Sequence, residues 1–379
     1  MNTYLLITSI VIFLCILLNR VSNRIGIPAL LAFIVLGMLF GSDGIMKIDF
    51  DNYAFAEQIC STALIFIMFY GGFGTNWQRA KAVAVKAVLL STIGVIITCF
   101  LTGLFCHFAL HMSWEISLLI GALISSTDAA SVFSILRSKK LNLKYNTASL
   151  LEVESGSNDP CAYMLTVAFI AISQGSVSAG NIAILIVKQL AFGILFGAMI
   201  AKLSIILLRY IRFKSAGFDA IFMVGIALIS YALPAYFDGN GFLSAYIVGI
   251  TLGNTEIENK KNLVNFFDGI TGLMQMLIFF LLGLLSFPSK LPQVIVPALL
   301  IFIWLTFVAR PLSVALVLTP FRSKIKQQLL VSWSGLRGAA SIVFSIMAYT
   351  ATNDDLDTFH IIFMMVLFSI LLQGSMLPW

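Results

Sequence analysis

The sequence predicts an all-α polytopic membrane protein of about thirteen transmembrane helices arranged as two inverted-topology halves of five. Three observations carry this. Sixty per cent of the 379 residues are apolar, eleven per cent are charged, and the mean hydropathy is +1.00, more apolar surface than a soluble domain can bury. Lys and Arg are concentrated in every second connection between the apolar runs, on one side of the membrane. Short motifs also recur at a nearly constant offset between the two halves of the chain.

In order, the candidate spans cover 3–18, 28–41, 54–75, 84–106, 115–137, 149–173, 180–201, 217–237, 241–254, 264–287, 292–319, 328–352 and 358–379. Span 1 follows Met1-Asn2-Thr3 with no basic n-region and no small-residue cleavage site, so it reads as a retained helix. Connections after odd-numbered spans hold Arg20 and Arg24, then Arg79, Lys81 and Lys86, then Arg137, Lys139, Lys140 and Lys144. Later ones hold Lys202, Arg209, Arg212 and Lys214, then Lys260 and Lys261, then Arg322, Lys324 and Lys326. The opposite connections hold Lys47 and Lys290. The asymmetry predicts a multi-pass protein of the cell membrane, its N-terminus outside and Trp379 cytoplasmic. The net charge of +6 is then a topology signal, and no nucleic-acid partner is needed to explain it. The five cysteines lack metal-ligand spacing and read as small packing residues.

The repeat shows in three pairs of spans. Ala32-Phe33-Ile34-Val35 of span 2 answers Ala245-Tyr246-Ile247-Val248 of span 9 at an offset of 213, and Leu64-Ile65-Phe66 of span 3 answers Leu277-Ile278-Phe279 of span 10 at the same offset. Asp128-Ala129-Ala130-Ser131-Val132-Phe133-Ser134-Ile135 of span 5 answers Gly338-Ala339-Ala340-Ser341-Ile342-Val343-Phe344-Ser345-Ile346 of span 12 with one insertion. Spans separated by an odd number of crossings run in opposite directions, so spans 2–6 and 9–13 form inverted halves. Spans 5 and 12 are both interrupted by small polar residues, Ser125-Ser126-Thr127-Asp128 and Ser334-Gly335-Leu336-Arg337-Gly338, where a helix opens most readily. Asp128 aligns with Gly338 and Thr127 with Arg337, so one half offers an anion where the other offers a cation to opposed half-helix ends.

Span 6 carries Glu152-Val153-Glu154-Ser155-Gly156-Ser157-Asn158-Asp159-Pro160. At about 1.5 Å per residue Asp159 lies roughly 15 Å into the helix, near the bilayer midplane, where an acid marks function. Glu152, Ser155 and Asp159 share one helical face, read as ion-binding; Glu154 and Asn158 share another, read as pairing with Arg337. Burial favours the protonated acid and a nearby cation favours the ionised one, so a proton and a monovalent cation can compete for Asp159. Thr127, Ser155 and the opened backbone would complete an oxygen shell. Lys188 reads as structural, Arg310 as either structural or functional, and Asp219 and Asp268 as solvated helix-end residues. His107 and His111 lack the intervening acid of a zinc-protease helix and read as an outer loop pair.

Ser125-Ser126-Thr127-Asp128, Glu152–Pro160 with Asn158-Asp159, Gly335-Leu336-Arg337-Gly338 and Leu371-Leu372-Gln373-Gly374-Ser375, in this order, resemble the NhaP-type monovalent cation/proton antiporters, a branch of the NhaA/NapA/NhaP-like fold. The resemblance covers essentially the whole chain. It implies a homodimer whose protomers combine a dimer scaffold (approximately 1–80 and 217–287), a linker helix (180–212) and a moving core (84–173 and 292–379) with crossed helices 5 and 12. It implies that Asp159 carries the ion and the proton, with Asp128, Thr127 and Ser155 contributing and Asn158, Glu154, Arg337 and Arg310 stabilising. Asn158, where electrogenic relatives have a second aspartate, implies electroneutral exchange. Two departures stand out. Tyr70 replaces the acid usual before Gly71-Gly72, and the chain stops at Trp379 where relatives of the Gln373-Gly374-Ser375 type continue into a cytosolic nucleotide-binding regulatory domain.

The expected function is therefore secondary antiport of K⁺ or Na⁺ against H⁺, serving pH homeostasis, with no cofactor and no enzymatic step. A cation channel would want repeated carbonyls or acid rings as a filter, and neither is present in the sequence. An intramembrane aspartyl protease using Asp128 and Asp159 would leave the repeat and Arg337 unexplained, and a structural scaffold would not need buried acids.

Overall fold

The structure is a computed structural model that describes residues 2–25, 28–128, 132, 143–175, 179–211, 217–257, 259–352 and 356–376. The cations Arg137, Lys139, Lys140, Arg212 and Lys214, most of the second half of span 5, and Trp379 lie outside the described residues. Among the described residues the chain is helical and has no strand. The helices are α1 (Asn2–Ile25), α2 (Ala29–Phe40), α3 (Tyr53–Gly74), α4 (Ala84–Leu110), α5 (Trp114–Leu123), α6 (Thr147–Ser173) and α7 (Ala179–Tyr210). They continue with α8 (Phe218–Tyr236), α9 (Gly241–Gly253), α10 (Lys260–Leu285), α11 (Leu291–Trp304, extended by Leu305–Ala309 and Arg310–Leu318), α12 (Ile325–Trp333), α13 (Ala339–Thr352) and α14 (Leu356–Phe368, extended by Ser369–Gln373 and Gly374–Met376).

Eight of these helices are long and apolar enough to cross a membrane among the described residues, and α2, α5, α9 and α13 are shorter apolar helices. The long ones present apolar side chains outward, as Phe13, Leu195, Val296 and Phe307 do, which suits a hydrocarbon surround. Two close crossings hold the short helices α2 and α9: α2 meets α10 where Gly37 lies against Gly283, and α9 meets α3 where Gly249 lies against Phe69 and Gly72 against Ile250. A methyl group at any of these glycines would run into the facing backbone, so the absent side chains let the helices approach to van der Waals packing.

Asn52 caps α3 by accepting from Phe55, and Asn240 caps α9 by accepting from Leu243. In the loop before α3, Asp43 accepts from the hydroxyl (2.5 Å) and the amide (3.1 Å) of Ser289, and these bonds hold its carboxyl below the usual range. Three helices contain a π turn: Leu90–Gly94 in α4, Leu305–Ala309 in α11 and Ser369–Gln373 in α14. The one in α11 precedes Pro311, which has no N–H to close the ordinary helical bond onto the preceding turn.

Candidate functional site

Both predicted interruptions are present. α5 stops at Leu123 and the chain is non-helical through Asp128; α12 stops at Trp333 and α13 begins at Ala339. The two openings meet, since the Asp128 amide donates to the Leu336 carbonyl at 2.8 Å. The Asp128 carboxylate lies against Gly338, immediately before the first residue of α13, where it faces the partial positive charge of that helix start. A side chain at residue 338 would occupy the space of this carboxylate, which explains the glycine. In the opposite sense, the Arg337 guanidinium donates to the Ser126 carbonyl just beyond the end of α5, where helix carbonyls leave partial negative charge. Each opening is thus neutralised by a charge at the other. The Arg337 amide donates to Ser369 Oγ at 2.9 Å, and Ser369 donates to Gln373 at 2.8 Å, so the π turn of α14 holds the second opening in place.

α6 lies beside the first opening. Ser155 Oγ donates to the Thr127 carbonyl at 2.6 Å, Asn158 Nδ2 donates to Thr127 Oγ1 at 2.6 Å, and the Ser126 hydroxyl is hydrogen-bonded to the Asp159 carboxylate. Asp159 is 7% exposed, and Asp128 is close enough to interact with it electrostatically. Two buried oxygens on adjacent residues, Asp159 Oδ1 and Asn158 Oδ1, have no hydrogen-bond partner among the described residues. A buried oxygen without a donor costs about 1–3 kcal/mol unless something occupies it. Pro160, lacking an N–H, cannot close the helical bond onto the Gly156 carbonyl, which loosens α6 at the same level. The structure therefore brings Asp159, Asp128, Thr127 and Ser155 together, and it adds Asn158, which the sequence reading assigned to the Glu154 face beside Arg337 but which bonds to Thr127 instead. The oxygens on offer are carboxylate, hydroxyl, carbonyl and amide, the set that suits a hard cation.

At Glu154, one helical turn before Asn158, the structure corrects the expectation. Its ion-pair partner is Arg310 of α11, not Arg337. Both side chains are buried, at 0% and 2% exposure. Arg310 directly follows the π turn of α11, which rotates it toward α6; Arg337 is committed to Ser126 and stays within electrostatic reach of Glu154. Asp219 is a further correction. It is buried rather than solvated, and accepts from the Ala220 amide at 2.8 Å. Lys188 pairs with Asp238 at 2.8 Å on the exposed side of α7, away from the site. Tyr70 donates to Asp268 at 3.3 Å, and His107 lies in contact with the Met112 carbonyl and the Trp114 ring.

Three contributors escaped the sequence reading. Ser126 serves both Asp159 and Arg337, yet in sequence it is one hydroxyl among several in the first opening. Asn240 donates to the Pro160 carbonyl at 2.8 Å while capping α9, and only the cap has a local sequence signature. Glu57 of α3 accepts from Thr350 of α13 at 2.5 Å; an acid so near a span end passes for a loop residue.

Residues 9–379 match the family described as sodium/hydrogen exchanger, transmembrane. The K(+)/H(+) antiporter NhaP of Alkalimonas amylolytica is 38% identical over 375 residues, covering 98% of this chain and 65% of that protein. The K(+)/H(+) antiporter NhaP2 of Shewanella sp. (strain MR-4) is 36% identical over 381 residues, covering 99% of this chain and 66% of that protein. The chain thus spans about two thirds of the length of these curated relatives. The solved sodium proton antiporter MjNhaP1 of Methanocaldococcus jannaschii at pH 8 superposes with a TM-score of 0.87 at 24% identity, covering 99% of this chain and all of that one, a likeness of fold.

Proposed function

The chain belongs to the sodium/hydrogen exchanger family, and from that premise we propose that it is a secondary antiporter exchanging K⁺ for H⁺, with Na⁺ as the alternative cation. The observation that carries the proposal is Asp159 itself: a buried carboxylate with an unpartnered oxygen, beside the unpartnered oxygen of Asn158, where two helix openings meet. A proton or a dehydrated alkali cation satisfies that oxygen equally well in charge. Occupancy by one excludes the other, and alternating exposure of such a site is sufficient for exchange. The cation shell in this reading is Asp159 with Thr127, Ser155 and Ser126, and Asp128 adds negative potential from the start of α13. Asn158 contributes an amide where a second carboxylate would carry a second charge, so one cation leaves for each proton that enters and the exchange is electroneutral. Potassium is favoured by the names of the relatives, both K(+)/H(+) antiporters.

The same reading takes the chain as thirteen spans in two inverted halves, N-terminus outside, in the cell membrane, as a homodimer. The paired glycine crossings support the repeat: if α2 corresponds to α9 and α3 to α10, the α2–α10 contact maps onto the α9–α3 contact. Residues 1–80 and 217–287 form the scaffold, 180–212 the linker, and 84–173 with 292–379 the core that moves. Regulation by a nucleotide-binding domain beyond this chain belongs to the same proposal. Nothing in the geometry favours a channel or a protease, since neither gives the crossed openings and the Arg310–Glu154 pair a role.

The test is dequenching of a pH-sensitive dye in everted vesicles on addition of K⁺, Na⁺ or Li⁺. The proposal expects cation-driven proton movement that is insensitive to membrane potential. A response that follows the potential contradicts electroneutrality, and no response to any of the three contradicts antiport.

A further inference from the structure

The space between Asp159 and one face of the protein is filled by rings from both sides of the proposed moving interface. Tyr163 lies one helical turn beyond Asp159 on α6, and Phe344 lies on α13; Tyr231 of α8 and Phe242 of α9 meet them. Ring centroids are 5.1 Å apart for Tyr163 and Phe242, 5.8 Å for Tyr163 and Phe344, and 4.8 Å for Tyr231 and Phe242. The hydroxyls of Tyr163 and Tyr231 are hydrogen-bonded to each other, linking the two sides. Past these rings stands Glu57, half-buried, its carboxylate accepting from Thr350 at 2.5 Å and within electrostatic reach of both tyrosines. Thr350 in turn lines an open recess of about 470 Å³ with Asp51, Asn52, Tyr53 and Tyr349. The end of α6 reaches the same level, where Gln174 donates to the Ala351 carbonyl at 2.7 Å.

We infer that Glu57 is the carboxylate at which monovalent cations are collected on this face before they pass the Tyr163–Tyr231 pair to Asp159. The inference rests on the antiport reading. Glu57 is half-buried one turn into α3, and its single hydroxyl partner could equally be served by a neutral amide, so the bond to Thr350 alone does not account for the charge. The recess lined by Thr350, the hydroxyl partner of Glu57, is open, whereas the rings beyond Glu57 are packed against one another. A negative group beside such a mouth, added to Asp51 in its wall, concentrates cations by about tenfold or more at low ionic strength, and salt abolishes the gain. Glu57 therefore sets how readily the site loads from this face alone.

The experiment reconstitutes the chain in oriented vesicles and varies K⁺ on each face separately. Glu57→Gln keeps an acceptor for Thr350 and loses the charge. The expected result is a roughly tenfold rise in half-saturating K⁺ on the recess face at low ionic strength, no change on the other face, and recovery in Glu57→Asp. The unmodified chain should show the matching asymmetry, with half-saturating K⁺ rising with added choline chloride more steeply on the recess face. Equal effects on both faces, or none, overturn the inference. Wild-type vesicles that move no protons in response to cations overturn the antiport reading instead, so the two failures are distinguishable.

Discussion

Arg310 of α11 and Glu154 of α6 form an ion pair with neither side chain open to solvent. Glu154 lies one helical turn before Asn158 on the same face of α6. Two charges removed from water stabilise little as a pair, but either one alone is expensive. Arg310→Ala should therefore lower unfolding free energy by about 3–5 kcal/mol, read as a lower melting temperature in detergent. Arg310→Met combined with Glu154→Gln should recover most of it, because no lone charge remains. If both variants melt alike, the pair has no such role.

Arg337 makes a different prediction. It neutralises the carbonyl end of α5 through Ser126, whose hydroxyl serves Asp159. Arg337→Ala should weaken apparent K⁺ affinity by about tenfold, equivalent to ~1.4 kcal/mol, with a smaller drop in melting temperature than Arg310→Ala. Stability falling further than in Arg310→Ala would return Arg337 to the role of principal partner of Glu154.

Gly338→Ala tests the helix-end arrangement from the other side. The added methyl meets the Asp128 carboxylate, which must leave the start of α13. A charge placed at a helix terminus contributes about 0.3–2 kcal/mol, so cation affinity should fall by up to about thirtyfold while the protein stays folded. Unchanged affinity would mean that Asp128 adds nothing to the site.

Asn240 joins the start of α9 to α6 beside Asp159, through Pro160. Asn240→Ser keeps a capping oxygen but is too short to reach the Pro160 carbonyl, whereas Asn240→Ala loses both bonds. Thermal unfolding should report a loss of about 1 kcal/mol for the first and about 2 kcal/mol for the second. Equal losses would place the whole effect in the cap.

Much of this arrangement was legible in the sequence, for physical reasons. Ser125–Asp128 and Ser334–Gly338 announce helix openings because small polar residues inside apolar spans have little other use, and Asp159 announces itself by its depth. The partner of Glu154 was not legible. Arg310 and Arg337 are both buried cations on later spans, and the choice between them depends on the π turn at Leu305–Ala309, a rotation that the apolar pattern does not encode. Ser369 holds the Arg337 amide from another such turn. Glu57 escaped because burial by a facing helix is a tertiary property: only the packing of α13 on α3 turns an acid near a span end into a partner of Thr350. Asp219 escaped for the same reason.

The exchange of a proton for a cation at Asp159 is tested most directly on the purified protein, by titrating K⁺ in buffers of different ionisation enthalpy and counting protons released per cation bound. The wild-type chain should release about one proton per K⁺ near neutral pH, and Asp159→Asn, nearly isosteric and still folded, should release none. Binding of K⁺ to the wild type without proton release, or undiminished release from Asp159→Asn, would contradict the account.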